Sequence, residues 1–204
     1  MATTAVASLM EEHRLIEQVL GSMETFMERL VPGGEAERAR IAQYADFLQN
    51  FADKCHHGKE EDRLFVRMNE YGFPKEYGPV AVMLADHVEG RGHVAALAKI
   101  GGGQGPLTAD ECNLVSRHAS AYIALLRAHI LKEDNILYPM AEQAIPALKM
   151  EELVREFDAF ETEQVGLGTH ERFHALAESL IVAFPPDPAK MTAGSACVGC
   201  AGHM

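Results

Sequence analysis

The chain has 204 residues and a formal net charge of −12. That length supports one domain with a sizeable core, and that charge argues against nucleic acid and anionic membranes as partners. No apolar run reaches the roughly 18 residues of a membrane span, and no basic region precedes the short N-terminal apolar stretch, so the expectation is a cytoplasmic protein with neither transmembrane helix nor signal peptide.

Helical periodicity fills almost everything between clear breaks. Leu9, His13, Ile16, Leu20, Met23, Met27 and Leu30 follow a 4-3-4-3 spacing, which predicts a first helix over about residues 6–30. "VPGGE" ends it. A second helix runs over about 35–70, with Tyr44, Leu48, Phe51 and Cys55 on one stripe, and "YGFPKEYGP" breaks the chain. A third runs over about 80–100, with Met83, Leu84, His87, Val94 and Leu97 inward; "GGGQGP" ends it. "TADE", Thr108 to Glu111, is a capping-box signature for a fourth helix that continues to about residue 143. A fifth stretch, about 150–184, is interrupted at "GLG" and ended by "PPDP". The fold class is therefore all-α. Residues 1–146 form an up-down-up-down four-helix bundle, 147–184 a helical extension packing on it, and 185–204 a flexible tail.

Ten histidines in a chain without tryptophan are the unusual feature. Histidine is the commonest metal ligand. The four cysteines, Cys55, Cys112, Cys197 and Cys200, form no disulfide framework and suit a reducing compartment.

In "CHHGKEEDRLF" two His/Glu pairs stand at i, i+4: His56 with Glu60 and His57 with Glu61. Either pair puts an imidazole and a carboxylate on one helical face. On a wheel at about 100° per residue, His57 and Glu61 fall with Leu64, Phe65 and Met68, whereas His56 and Glu60 fall on another side. "HGKEEDRLF" from His57 also resembles "HILKEDNIL" from His129, which pairs His57 with His129 and Glu61 with Glu133. His13 and His87 lie within the apolar stripes of the first and third helices. A buried imidazole needs partners, and two inward carboxylates without cations are costly. The six residues His13, His57, Glu61, His87, His129 and Glu133 therefore suit a pair of metals. Imidazole with carboxylate fits iron, manganese or zinc.

"EEHRLIEQVL", "CHHGKEEDRLF", "MLADHVEGRGHV" and "LLRAHILKEDNILYPMAE", in that order over about residues 5–145, resemble the hemerythrin-like, or HHE cation-binding, family. The resemblance implies a four-helix bundle around a centre of two iron ions, oxo- or hydroxo-bridged when oxidised, and assigns ligands to the same six residues. It implies a small-molecule partner: oxygen, hydrogen peroxide or nitric oxide. One departure stands out. Where oxygen carriers have a second histidine in the third helix, this chain has Arg91. That shifts the expectation from reversible oxygen carriage toward reaction with oxidants, sensing or iron handling.

Asp134 is an alternative carboxylate ligand, and Glu163, His170 or His174 can replace the missing histidine. Arg91 shares the His87 face and can orient a carboxylate. His93 and His118 read as surface residues. Tyr44, Tyr122 and Tyr138 are candidate proton donors by residue type alone.

Overall fold

The computed structural model describes residues 4–166 and 168–193. It is all-helical among them, and the boundaries fall close to the sequence punctuation. Helix α1 is Ala5–Met27, capped by Thr4, whose side chain accepts from the Ala7 amide. Helix α2 runs without a break over 35–70, helix α3 is Pro79–Gly101, and helix α4 spans 109–144. The capping box is present: Thr108 accepts from the Glu111 amide and the Glu111 carboxylate accepts from the Thr108 amide. Helix α5 spans 147–165, and α6 is Thr169–Ala183. The break between them holds Gly166 and Gly168, whose positive φ angles suit glycine.

A short helix α7, Pro188–Ala193, lies in the segment expected to be a flexible tail. Cys197 and Cys200 fall outside the described residues. The extension packs on α1: Ser22 Oγ donates to the Leu180 carbonyl at 2.9 Å, and Thr25 Oγ1 to that of Pro185 at 2.9 Å. No helix among the described residues is long and apolar enough to cross a membrane.

Two features position the site. First, the apolar core is in two clusters. Leu9, Leu64, Phe65, Met83 and Leu137 belong to one; Ile16, Phe51, Val94 and Leu126 belong to the other. Helices α1 and α3 run from the first cluster to the second, and α2 and α4 run the other way. A polar layer is left between them at His13, residues 56–61, His87 and residues 129–133. Second, α2 is not a regular α-helix. Leu48–His57 and Glu60–Leu64 form wide π turns, and Glu133–Leu137 does the same in α4. A π turn inserts about one residue relative to the 3.6-residue period, so the inward face shifts by about 100°.

Helices α2 and α3 approach closely at Gly101, where an added Cβ would stand 2.6 Å from the Ala42 backbone nitrogen. Gly92, on the same helix, has nothing within 4 Å of that position. Gly101→Ala should therefore lower unfolding stability by about 1–3 kcal/mol through overpacking, while Gly92→Ala should raise it by about 0.5–1 kcal/mol through helix propensity. Urea denaturation of both variants checks the opposite signs.

Candidate metal centre

Two groups of side chains converge in the polar layer. One is His57, Glu60, His87 and His129; the other is His13, His56, Glu60 and Glu133. Within each group the candidate ligand atoms lie within 4.8 Å of one another, and Glu60 belongs to both. All seven residues are buried.

The π turns explain which residues arrive. His56 is 1% exposed and Glu60 0%, whereas the Glu61 side chain is 24% exposed. The regular wheel puts Glu61 inward and Glu60 away; the widened helix turns Glu60 in, and both His56 and His57 with it. Of the six expected residues, His13, His57, His87, His129 and Glu133 lie in the two groups, and Glu61 does not. Sequence reasoning missed His56 and Glu60.

Glu61 stands one layer out, accepting from His87 Nδ1 at 2.7 Å. The same arrangement recurs on every histidine of the centre. His13 Nδ1 donates to Asp134 at 2.7 Å, and His56 Nδ1 to Glu12 at 2.8 Å. His57 Nδ1 faces Asp53 at 3.4 Å, and His129 Nδ1 faces Asp86 at 3.2 Å. A carboxylate only accepts, so each Nδ1 carries a proton and Nε2 is the atom that a neutral imidazole offers to a metal.

These contacts repeat with pseudo-twofold symmetry. Glu12 precedes His13 and holds His56 and Lys59; Asp86 precedes His87 and holds His129 and Lys132. Glu61 orients His87 as Asp134 orients His13. His57 has no counterpart, because Ile130 occupies the matching position. It is the residue that makes the two groups unequal.

The interior donors crowd one another at short range, His87 Nε2 standing 3.1 Å from His129 Nε2. His129 Nε2 is 3.1 Å from Glu133 Oε2, His13 Nε2 is 3.3 Å from the same atom, and His87 Nε2 is 3.5 Å from Glu60 Oε2. His56 Nε2 is 3.8 Å from Glu60 Oε2. Donors about 2.0–2.2 Å from one ion, at right to tetrahedral angles, stand roughly 3–3.5 Å apart. Among the described residues, the buried side-chain atoms without a hydrogen-bond partner are His56 Nε2, Glu60 Oε2 and both carboxylate oxygens of Glu133. All four belong to this centre. The donor set therefore fits metal ions of the imidazole-and-carboxylate class.

The electrostatics divide the five imidazoles. Burial, with His13 nearby, pushes His56 down to about 4; burial and the neighbouring His56 and His129 push His57 down to about 4. Burial and the neighbouring His57 push His87 down to about 3. Burial holds these three imidazoles neutral and available to ligate, whereas Glu133 with Asp86 outweighs burial to push His129 up to about 9, and Asp134 with Glu133 raises His13, so those two release a proton on binding a metal. Burial and the Glu133 carboxylate hold Glu60 well above its usual range, whereas His129 and His13 outweigh burial to hold Glu133 well below its own. Without a cation, one of the two facing carboxylates takes up a proton.

The surroundings assign the remaining candidates. Arg91 Nε donates to Asp53 at 2.8 Å and Nη2 to Glu61 at 2.6 Å, so one guanidinium holds the carboxylates behind both His57 and His87. Tyr138 donates to Glu60 Oε1 at 2.6 Å and stacks on His13. Tyr122 lines a cavity beside His57 and His87. Tyr44 is bonded to Ser22 in the apolar core. His93 and His118 are half-buried and pair with each other, Nδ1 to Nδ1 at 3.1 Å. His170 approaches Glu12 at 3.8 Å, and the carboxylate of Glu161 shares buried Lys59 with Glu12. His174 lies tilted beside His170 and edge-on to Phe51. Neither histidine nor Glu163 is in the two groups.

Lys59 is 1% exposed and bonds Glu12 and Glu161. Lys59→Met should strand the Glu12 charge in the interior and cost about 3–5 kcal/mol. Adding Glu12→Gln to that variant should recover part of the loss, as read by urea denaturation.

A family model described as the hemerythrin HHE cation-binding domain matches residues 4–141. Uncharacterized proteins of Mycobacterium tuberculosis and Mycobacterium bovis are 20% identical over 163 residues. The alignment covers 80% of this chain and 63% of theirs, so the chain spans less than two thirds of the length of the curated relatives it matches. No solved structure matches significantly. The family match covers more than half of the chain, and the chain belongs to the hemerythrin HHE cation-binding domain family.

Proposed function

We propose that this member of the hemerythrin HHE cation-binding family is a non-haem di-iron protein that binds or reacts with a small oxidant (oxygen, peroxide or nitric oxide) in redox or nitrosative stress. The observation that carries the reading is the set of four unpartnered buried atoms on His56, Glu60 and Glu133. A cation on each side of Glu60 supplies the partner that nothing in the chain supplies. His13 and His56 would hold one ion with Glu133, His57, His87 and His129 would hold the other, and Glu60 would be shared. Glu61 would act one step out, on His87. The up-down-up-down four-helix bundle belongs to this proposal. It is supported by the opposite order in which successive helices meet the two apolar clusters. A cytoplasmic setting also belongs to it.

Bound iron would supply Lewis acidity and electrons. The chain's own groups do the rest. Five imidazoles are oriented and made more basic by five carboxylates. The two apolar clusters exclude water above and below the centre. The Tyr138 hydroxyl holds a proton at Glu60, 3.4 Å from His13 Nε2.

A second reading is a sensing or iron-handling module without turnover. It is favoured by the contact of Glu161 and His170 with the Glu12–Lys59 pair behind His56, which ties the extension to the centre.

Purified protein should contain about two irons per chain and lose them to a strong chelator. Glu60→Ala should remove both, because Glu60 is common to both groups. Glu61→Ala should keep the ions with about 10–100-fold weaker affinity, as expected of a residue one step removed. Elemental analysis and chelator competition check this. Zinc alone, or full iron in Glu60→Ala, contradicts the assignment. Sustained consumption of peroxide or nitric oxide favours chemistry; a metal-dependent change in protection of 147–183 without turnover favours sensing.

A further inference from the structure

A cavity of about 260 Å³ lies against only one side of the centre, bordered by His57, His87, Gly90, Arg91, Ala95 and Tyr122. The three cavities that touch the extension are lined by none of the seven donors. We propose that this chamber is the port by which a small uncharged molecule reaches the ion held by His57, His87 and His129, and that the Tyr122 hydroxyl is the hydrogen-bond donor that receives it. The proposal rests on the di-iron reading and adds the place where the ligand enters and the donor that receives it.

Three observations carry it. Tyr122 is 2% exposed as a residue, its hydroxyl makes no hydrogen bond to a described residue, and it is not among the fully buried unpartnered atoms, so it stays open to the cavity it lines. A phenol of a buried residue is ordinarily bonded within the chain, so a donor left open to a cavity marks a place for an acceptor. Gly90 makes the room: even a bare Cβ there would come within 3.3 Å of the Tyr122 ring. The third observation is charge. Asp53 borders the chamber and Glu61 stands behind His87, and the single guanidinium of Arg91 is spent on both. The guanidinium is thus committed to the carboxylates behind His57 and His87, and the Tyr122 hydroxyl is the donor left for a ligand in the chamber. The volume suits a diatomic gas or hydrogen peroxide with a few waters. The side chosen is also the side of His57, the histidine without a symmetry partner.

The test uses the full chain loaded with iron(II), with nitric oxide as the probe. Ala95 is exposed at the cavity's edge, so Ala95→Phe should fold and narrow the mouth. It should slow association and dissociation of nitric oxide together, each by about tenfold or more, and leave Kd nearly unchanged, because a plug alters access and not the bound state. Tyr122→Phe should leave association near wild type and weaken Kd about tenfold, the loss expected of one hydrogen bond. Iron content is measured first on every sample, and Ala95→Leu repeats the plug if the Phe variant fails to fold. Wild-type iron with unchanged nitric oxide kinetics in the plugged and Tyr122→Phe proteins overturns the port. Failure of the wild-type chain to take up iron overturns the reading beneath it as well.

Discussion

Glu60 and Glu133 face each other at the centre of a dry layer between two apolar clusters, with five imidazole Nε2 atoms turned toward them. Burying two carboxylates is expensive, with an effective penalty of several kcal/mol per charge when unpaired. Neither lysine nor arginine bonds them. Lys59 and Lys132 bond Glu12 and Asp86 instead, where each neutralises the carboxylate that orients a histidine. The interior carboxylates are thus kept free of the chain's lysines and arginines. The other features follow from that arrangement: Nδ1 protons pointing out, Nε2 atoms pointing in, and polar atoms left without partners.

Most of the fold was legible because amphipathic helices announce themselves. The 4-3-4-3 stripe of α1, the Thr108 capping box and the Gly/Pro breaks place helix ends within a few residues of where they lie. Of the two groups, His13 and His87 were legible as polar residues on apolar stripes, and His57, His129 and Glu133 through the internal repeat. Glu60 and His56 were not, because a wheel assumes one angle per residue and the π turns over Leu48–His57 and Glu60–Leu64 break that assumption. Nothing in local propensity marks a π turn.

A signal for the correct register was nevertheless present. Aligned on lysine, "HHGKEEDRLF" and "HILKEDNILY" match His56 with His129, Lys59 with Lys132, Glu60 with Glu133 and Glu61 with Asp134. That register is the one the structure adopts, and it pairs Glu12–His13 with Asp86–His87. Aligning from His57 instead gave a plausible repeat that was one residue out, and moved a carboxylate from the outer ring to the centre. The expected shortage of one histidine also disappears: His56 and His57 both point inward from α2, while Arg91, standing where a helix α3 histidine was sought, secures the carboxylates behind two of the five.

The central claim is that Glu60 is shared between two metal ions. Anomalous diffraction at the iron edge from crystals of the iron-loaded protein tests it directly. The account predicts two peaks roughly 3.5–4 Å apart, one beside His13 and His56, the other beside His57, His87 and His129, with Glu60 reaching both and Glu61 bound only to His87 and Arg91. A single peak, or Glu61 in contact with an ion while Glu60 is not, would contradict it.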